Sequence, residues 1–424
     1  MNISSNEYKR LGDRIRQNPD NIAAADLDAI QHLRSSYKDE LARLFAILIN
    51  VVRPIDRKAI ITYRVKRIES IVSKLLRQPQ MHVNRMADIA GCRCIVQSDE
   101  QVWMVHEALK EQLMIVGTND YITTPKKDGY RSLHLLVKVD DKSAKTMEIQ
   151  IRSIDEHNWA TLVEITALIF ASKIKEKGEG EMSEFHQLLS KDINKLTREE
   201  KYKIFETAQK HDYFNRINAI FSRNYIDVRR SYNEAKVSGA KFFLVATGED
   251  GTPDIHPYRS FDDAEEHYYQ KFKDNKQNKN IVMTYIYNAS FEEISMAYSN
   301  YFLTYNALFF KCYHMLSSIV VECYESRNPV RFYRMYSLFL GFTRRMFSVQ
   351  LKDYMEFSRS KIVLKSSPKR KNWLDSIRGH INMVTSIYND THAAMSDSRA
   401  PMANRLIRKA LVTAFLKEDV QPYG

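Results

Sequence analysis

Cysteine is scarce in this sequence, which contains only Cys92, Cys94, Cys312 and Cys323 among its 424 residues. Four cysteines are too few for the disulfide scaffold of a small secreted domain, and they form no paired Cys-x-x-Cys motif of the kind that binds zinc. We therefore expect all four to be small, buried side chains.

Long apolar runs are also absent. No stretch reaches the ~18 residues that a membrane-spanning helix needs, and the N-terminal sequence MNISSNEYKRLGDRIRQ lacks the apolar core of a secretory signal. These absences predict a cytoplasmic protein with no membrane partner. Internal repeats and low-complexity tracts are missing as well, and the hydrophobic fraction of 44% is that of an ordinary globular protein.

Positive charge, by contrast, is in excess. Lysine and arginine outnumber aspartate and glutamate by 64 to 52, which gives a formal net charge of +12. Such an excess favours polyanionic partners such as nucleotides, RNA or an acidic protein, but it does not choose among them.

The order of the segments predicts an α/β protein with helical additions. Strand and helix patterns alternate from AIITYRV to a long helix that starts at Asp155, as in a mixed sheet flanked by helices. The glycines and charges of KEKGEGEMSE indicate a boundary, a smaller α/β unit starts at KFFLVAT, and the sequence after Phe302 is helical and aromatic. We divide the chain into N-terminal helices at 1–52, an α/β domain at 53–178, a helical connector at 179–238, a small α/β module at 239–300 and a helical C-terminal region at 301–424.

Two carboxylates are expected to lie on adjoining strands of the α/β domain. In MEIQIR the alternation of a strand places Glu148, Gln150 and Arg152 on one face. In ADIAGCRCIV, Asp88 lies at the mouth of a strand and Gly91 permits a close backbone approach. The two carboxylates suit Mg²⁺, which prefers one or two carboxylates plus substrate phosphates. Taken alone, MEIQIR would be interpreted as a half-buried strand with a solvated polar face, and it is the neighbouring segments that favour a site.

A basic segment precedes them. In TYRVKRIESIVSKLLR, Arg64 and Lys66 share one face of a short strand, and Lys74 and Arg77 share one helix face. Opposite two carboxylates, these four cations would form a clamp for a triphosphate. In isolation they would be a solvated basic face.

The segment TPKKDGYRSLHLLV combines groups that suit a nucleotide. Lys126 and Arg131 can bind phosphates, and the ring of Tyr130 offers a flat face for a base. Gly129 would let that ring approach, and His134 is expected at the strand entrance near Glu148.

These blocks, in this order, resemble the synthetase domain of the RelA/SpoT family. The matching motifs are RxKxxxSIxxK at Arg64–Lys74, DIAGxR at Asp88–Arg93, DYIxxPKxxGYRSLH at Asp120–His134 and EIQIR at Glu148–Arg152. The resemblance implies a nucleotidyltransferase-like fold. It also implies a pyrophosphokinase that moves the β,γ-pyrophosphate of ATP to a ribose 3′-hydroxyl with Mg²⁺ as cofactor.

The resemblance also implies a role for each matching residue. Arg64 and Arg93 would sandwich the adenine, and the ATP phosphates would be held by Lys66, Ser70, Lys74 and Arg77. Asp88 and Glu148 would bind the Mg²⁺, and Glu148 would be the base for the attacking hydroxyl. The acceptor would be bound by Lys126, Asp128, Tyr130, Arg131, His134, Gln150 and Arg152.

The acceptor itself stays open between two candidates. GDP or GTP would yield the alarmone (p)ppGpp, whereas the 3′ end of tRNA would be the target of a translation-arresting toxin. Asp128 stands where many relatives have asparagine, and Trp159-Ala160-Thr161 resembles the short, monofunctional and toxic members. The net charge and the large C-terminal half tilt the expectation slightly towards tRNA. A catalytically idle nucleotide- or RNA-binding module is the alternative from another class, but it would predict a damaged metal pair or clamp.

A possible restraint lies downstream. MAYSNYF resembles the YxxY element of fused toxin–antitoxin members used in phage defence, whose C-terminal region blocks the ATP site until a phage protein engages it. The resemblance implies that Tyr298 and Tyr301 are autoinhibitory and that a phage protein or another trigger binds this half. A packed, aromatic helix start is the alternative, and Tyr333 and Tyr336 repeat the same spacing.

Overall fold

A computed structural model provides the coordinates. The residues that it describes are 4–143, 145–169, 180–191, 195–213, 216, 240–247, 253–274, 280–286, 307–359, 368–396 and 399–418. They group into two compact units, the first containing residues 1–168 and 223–304 and the second residues 169–222 and 305–424. The chain therefore passes from the first unit to the second and back before it ends in the second.

The first unit is built on an eight-stranded sheet. Its strands are β1 (Ile60–Val65), β2 (Ala90–Val96), β3 (Met114–Asp120), β4 (Leu133–Lys138), β5 (Met147–Ser153), β6 (Phe242–Thr247), β7 (Pro253–Tyr258) and β8 (Asn280–Ile286). They lie in the order β3-β4-β5-β2-β1-β8-β6-β7. Only β2 and β5 pair in parallel, so the sheet is mixed, as the sequence predicts.

Seven helices of the first unit precede, follow or connect these strands along the described chain. They are α1 (Ser5–Gln17), α2 (Ala24–Ser35), α3 (Lys38–Ile55), α4 (Ile68–Arg77), α5 (Asp99–Lys110), α6 (Ile154–Ile169) and α9 (Phe261–Lys273), with a short 3₁₀ turn at Val83–Arg85. Helix α5 begins with a capping box, in which the Ser98 hydroxyl accepts from the Gln101 N–H and the Gln101 side chain reaches back to the N–H of Ser98.

One face of the central strands forms the core and the other is polar. The buried face carries Tyr63, Cys92, Cys94, Ile149 and Leu135, which pack in one cluster with the apolar sides of α1 to α5. Because side chains alternate along a strand, the intervening residues face away from this core. All four cysteines are free and buried, as expected.

The small α/β module does not form a sheet of its own. Its strand β8 pairs antiparallel with β1, with Tyr285 opposite Tyr63, so β6 to β8 continue the sheet of the upstream domain. This differs from the separate module expected at 239–300. Without β8, strand β1 would be an open edge with unpaired backbone groups, and pairing removes that edge. The new edge is β7, which tolerates Pro253 and Pro257 because one of its sides needs no partner.

The second unit is helical in the part of the chain that the structure describes. Its helices are α7 (Glu181–Leu189), α8 (Arg198–Lys210), α10 (Ala307–Glu325), α11 (Pro329–Arg359), α12 (Pro368–Ser396) and α13 (Met402–Glu418). The Asn404 amide donates to the carbonyls of Tyr324 and Ser326 at 3.0 and 2.7 Å and so ties α13 to the end of α10. The Tyr202 hydroxyl lies 3.1 Å from the Cys323 sulfur and joins α8 to the same bundle.

None of the described helices combines the length and the apolar character that crossing a membrane requires. Tyr298 and Tyr301 lie outside the described residues.

Candidate active site on the polar face of the sheet

The polar side chains of four neighbouring strands share one face of the sheet. Arg64 on β1 lies opposite Gly91 on β2, and Gly91 lies opposite Glu148 on β5. Arg93 is opposite Gln150, which is opposite His134 on β4. Since directly opposite residues point to the same side, the motifs that lie apart in the sequence meet on this face.

Gly91 is required by the close packing of the two parallel strands. A Cβ atom at this position would lie 2.1 Å from the backbone carbonyl oxygen of Glu148. The close approach expected of this glycine is therefore made by the neighbouring strand, whose Glu148 lies beside the start of β2.

Asp88 lies between two lysines just before β2. Lys66 Nζ is 2.8 Å from Asp88 Oδ2, and Lys74 Nζ is 2.9 Å from Asp88 Oδ1. Burial alone would raise the pKa of Asp88, but the two ammonium groups lower it to about 2. Burial also lowers the pKa of Lys66. The carboxylate is ionised at neutral pH and holds both lysine side chains at one point.

Glu148 is bound on both of its oxygens. His134 Nδ1 lies 3.0 Å from Oε1, and Gln150 Nε2 donates to Oε2 at 2.8 Å. Burial would raise the pKa of Glu148, but the hydrogen bond with His134 and the histidine's charge lower it to about 2. Burial would lower the pKa of His134, but the bond to Glu148 raises it.

The network continues to the loop at residues 121–132, between β3 and β4, which we name the acceptor loop after its expected role. The Tyr130 hydroxyl lies 2.9 Å from His134 Nε2, and Arg152 donates to Gln150 at 3.0 Å and to Tyr130 at 3.4 Å. Burial would raise the pKa of Tyr130, but the charges of Arg152 and His134 lower it to about 7. Tyr130, His134, Glu148, Gln150 and Arg152 therefore form a closed ring of hydrogen bonds.

The acceptor loop is held by a tight turn. Asp128 Oδ1 accepts from the Tyr130 N–H at 3.0 Å, and Gly129 has a positive φ of 87° that favours glycine. The turn therefore explains Gly129, whereas the sequence analysis expected this glycine to let the ring of Tyr130 approach. An asparagine at this position would offer the same acceptor oxygen, so Asp128 keeps the shape of the turn.

Lys126 covers the tyrosines of this loop. Its Nζ lies 4.4 Å from the ring centre of Tyr121 and 4.9 Å from that of Tyr130. The same ring of Tyr130 has Trp159 of α6 at 6.4 Å. A base that stacks on Tyr130 would therefore meet the ammonium group of Lys126.

The remaining predicted site residues make none of the hydrogen bonds to Asp88 or Glu148 described above. Arg64 is exposed on β1, and Arg93 is half-buried on β2. Arg77 is exposed and its Nε donates to the Ser73 carbonyl of its own helix, so the structure brings Lys74 but not Arg77 to Asp88. Ser70 is half-buried on α4, and Arg131 is half-buried just before β4.

The two carboxylates fit the donor set of a hard divalent cation. Within the described residues no group of three or more histidine, cysteine, aspartate or glutamate side chains could hold a metal. The negative charge of Asp88 opposes the lowering of the pKa of Glu148. Two oxygen ligands without a protein cage suit Mg²⁺ completed by phosphates.

Sequence reasoning missed strand β3 and the role of β8. Strand β3 pairs with β4 along the outer edge, and its residues are largely exposed. Its sequence, MIVGTND, contains a glycine and no regular alternation, so no strong strand pattern was present. Glu265 and Tyr268 of α9, which bond to Arg34 and to the Ile68 N–H, carried no sequence signal either.

Comparison with known proteins agrees with these blocks. Residues 63–175 match the family model described as the region found in RelA / SpoT proteins. The GTP pyrophosphokinase YwaC of Bacillus subtilis is 40% identical over 114 residues, which are 23% of this chain and 53% of that protein. The GTP pyrophosphokinase YjbM of the same organism is 34% identical over 126 residues, 28% of this chain and 60% of that protein.

Among solved structures, small alarmone synthetase 1 of B. subtilis bound to its product pppGpp is 25% identical. The alignment covers 42% of this chain and 93% of that chain, with a TM-score of 0.32. Small alarmone synthetase 2 of B. subtilis is 30% identical, with coverage of 38% and 89% and a TM-score of 0.31. The chain thus spans little more than half the length of the curated relatives, and the likeness lies in one segment. Over residues 63–175 this chain is therefore similar to the RelA/SpoT family.

Proposed function

We propose that the first unit is an ATP-dependent pyrophosphokinase, which moves the β,γ-pyrophosphate of ATP to the 3′-hydroxyl of a nucleotide. The observation that carries the proposal is the position of Asp88. It is held between Lys66 and Lys74 just before β2, and the neighbouring strand β5 carries Glu148, which is paired with His134. This arrangement combines cations for a polyphosphate with two carboxylates for a metal.

The reaction needs positioning and charge neutralisation. The 3′-oxygen forms a bond to the β-phosphorus of ATP, the bond from that phosphorus to the α-phosphate oxygen breaks, and AMP leaves. Lys66 and Lys74 neutralise the phosphate charge, since phosphoryl-type transfer depends mainly on such electrostatic stabilisation. Mg²⁺ held by Asp88 and Glu148 would supply further neutralisation of the phosphates when bound.

Glu148 accepts the proton of the attacking hydroxyl at a carboxylate oxygen. The hydrogen bonds with His134 and Gln150 help to lower its pKa to about 2, so these partners set its strength as a base. His134 orients Oε1 and Gln150 orients Oε2. Because His134 also contacts the Tyr130 hydroxyl, the position of the acceptor loop is linked to the base.

GDP or GTP is the first candidate acceptor. Two curated relatives bear the name GTP pyrophosphokinase. In this chain the Tyr130 hydroxyl contacts His134, which in turn contacts Glu148. The exposed Lys126 lies above the ring of Tyr130. A purine stacks on such a ring and its phosphates pair with such a cation.

The 3′ end of tRNA is the second candidate. The net charge of +12 favours it, because a polyanionic acceptor gains more from such a surface than a free nucleotide does. In this case the protein would arrest translation, and the downstream residues Tyr298 and Tyr301 would be a restraint released by a phage protein or another trigger.

ATP labelled in its γ-phosphate separates these acceptors. The protein is incubated with the labelled ATP and Mg²⁺, and GDP, GTP and tRNA are offered in separate reactions. Label on GDP or GTP alone would support alarmone synthesis, and label on tRNA alone would support the toxin. Label on none of them would favour the catalytically idle nucleotide- or RNA-binding module.

A further inference from the structure

A fully buried arginine connects helix α9 to the turn at Lys66 and Arg67, between β1 and α4. We call this the Lys66 turn. Arg34 of α2 has a side-chain exposure of 0%, and its guanidinium makes two hydrogen bonds to Glu265 of α9, at 2.9 and 3.1 Å. Its remaining Nε donates to the backbone carbonyl of Lys66 at 2.8 Å. A buried charge requires partners on its donors, and here those partners come from Glu265 of α9, from the Lys66 peptide and from Gln31 of α2 itself.

A tyrosine of the same helix caps the next helix of the site. The hydroxyl of Tyr268 accepts from the N–H of Ile68, the first residue of α4, at 2.9 Å. Helix α4 has no side-chain cap from its own N-cap residue, Arg67. The Tyr268 ring also lies 4.0 Å from the Arg34 guanidinium carbon. We call Arg34, Glu265 and Tyr268 the Arg34 cluster.

The cluster fixes the backbone on both sides of Arg67. The Lys66 carbonyl is bound by Arg34, the Ile68 N–H is bound by Tyr268, and the Lys66 N–H donates to the Ile89 carbonyl at 2.7 Å. The side chain of Lys66 leaves the backbone within this fixed segment and reaches Asp88. Helix α4, whose start the cluster also holds, carries Lys74 to the same carboxylate.

We propose that Glu265 and Tyr268 of α9 are positioning residues of the nucleotide site, which set the Lys66 turn and the start of α4 for the triphosphate of ATP. This inference rests on the proposed function, because that function assigns Lys66 and Lys74 to the phosphates. It makes the segment 261–273 a structural part of the site, although the matched family region ends at residue 175.

Helix α9 offers a matched control in the next residue. The hydroxyl of Tyr269 donates to Asp28 of α2 at 2.6 Å. Tyr268→Phe and Tyr269→Phe therefore each remove one hydroxyl from α9 and keep the ring. Only the first loses a bond to the segment that carries Lys66.

The experiment compares these two variants with the unmodified full chain. Binding of a non-hydrolysable ATP analogue with Mg²⁺ is measured by calorimetry. We expect Tyr268→Phe to weaken it about fivefold, the effect of one lost hydrogen bond, and Tyr269→Phe to leave it within about twofold of the unmodified protein. In steady-state assays Tyr268→Phe should lower kcat/KM for ATP and leave KM for the acceptor unchanged.

Hydrogen exchange gives a second measurement that does not depend on nucleotide binding. The amide of Ile68 should exchange faster in Tyr268→Phe than in Tyr269→Phe, while the amides of β2 and β5 stay equally protected in both, which shows that the variant is folded. Equal affinity of both variants for the analogue would overturn the inference and leave the proposed function intact. If the unmodified protein does not bind the analogue, the proposed function fails and the inference fails with it.

Discussion

Glu148 is the residue on which the proposed chemistry depends most. It lies on β5 with His134 on one oxygen and Gln150 on the other. Glu148→Gln removes the negative charge and keeps the shape. We expect pyrophosphate transfer to fall by about 100-fold or more, the usual scale for the loss of general base catalysis. The measurement is the initial rate of transfer of γ-phosphate label to the best acceptor.

Glu156 provides a carboxylate control for that substitution. It lies in the first turn of α6 and is buried, but it makes no contact with Asp88 or Glu148 among the described hydrogen bonds. Glu156→Gln makes the same side-chain replacement outside the proposed machinery and should keep most of the transfer rate. At pH 8, above the raised pKa of Glu156 of about 7, it also removes a negative charge, so the two variants are compared at that pH. Full activity in Glu148→Gln would contradict the assigned mechanism.

The same Glu156 predicts a pH dependence of stability. Burial raises its pKa to about 7 from the ordinary value of 4.5, and its Oε1 makes no hydrogen bond among the described residues. In the folded protein it stays protonated up to about pH 7, while in the unfolded chain it ionises above about pH 4.5. Unfolding therefore releases a proton in this window, and stability falls as the pH rises through it.

Glu156→Gln should remove this loss. We expect the variant to exceed the unmodified protein in unfolding free energy above pH 7 by up to about 3 kcal/mol, since one pKa unit corresponds to about 1.4 kcal/mol. Below about pH 4.5 the raised pKa should contribute no difference in unfolding free energy between the two proteins. Urea unfolding at several pH values measures the difference, and a constant difference across the range would be inconsistent with a raised pKa.

At the scale of elements, the decisive feature is the pairing of β8 with β1. Thr284 of β8 lies opposite Arg64 of β1 and opposite Phe243 of β6. A proline there removes a backbone donor from a strand that is paired on both sides. With a cost of about 2 kcal/mol for an unsatisfied backbone group, Thr284→Pro should lower the melting temperature of the first unit by about 4–8 °C.

Thr284→Ala is the control, because it keeps the backbone donor. A proline variant that melts like the alanine variant would mean that β8 contributes little to the sheet. Calorimetric melting, with binding of an ATP analogue as a second measurement, distinguishes these outcomes.

The elements differ in how far the sequence predicts them. The motif of β5 predicts that Glu148, Gln150 and Arg152 share a face, and the register with β2 and β4 confirms it, because strand alternation is a local property. The union of β6 to β8 with β1 is a pairing between residues more than two hundred positions apart, and no local pattern encodes it. The contacts of Glu265 and Tyr268 are likewise tertiary, and each residue alone resembles an ordinary member of an amphipathic helix.

At the scale of the whole molecule, the two units are interleaved along the chain. A fragment that ends at residue 240 would lose β6 to β8 and α9, which belong to the first unit. It would also leave Arg34 buried without Glu265, and an uncompensated buried charge costs about 3–5 kcal/mol. Since domains are stable by only about 5–15 kcal/mol, we predict that this fragment is poorly folded and inactive.

This prediction affects how a downstream restraint is tested. Loss of activity in the fragment would reflect the broken sheet, so substitution of Tyr298 and Tyr301 in the full chain is the cleaner experiment. Higher activity of the doubly substituted chain would support the restraint. A well-folded, active fragment, shown by circular dichroism and by label transfer, would contradict the structural role of the segment 242–286 in the first unit.

The central claim is that the site transfers a pyrophosphoryl group. That reaction releases AMP, whereas transfer of a single phosphate releases ADP and simple hydrolysis needs no acceptor. Chromatography of the nucleotides formed from ATP and Mg²⁺, with the best acceptor present or absent, tests this directly. We predict one AMP for each acceptor molecule modified and none when the acceptor is absent, and Glu148→Gln should lower the rate of AMP formation by about 100-fold or more. Formation of ADP, or of AMP without an acceptor, would contradict this claim.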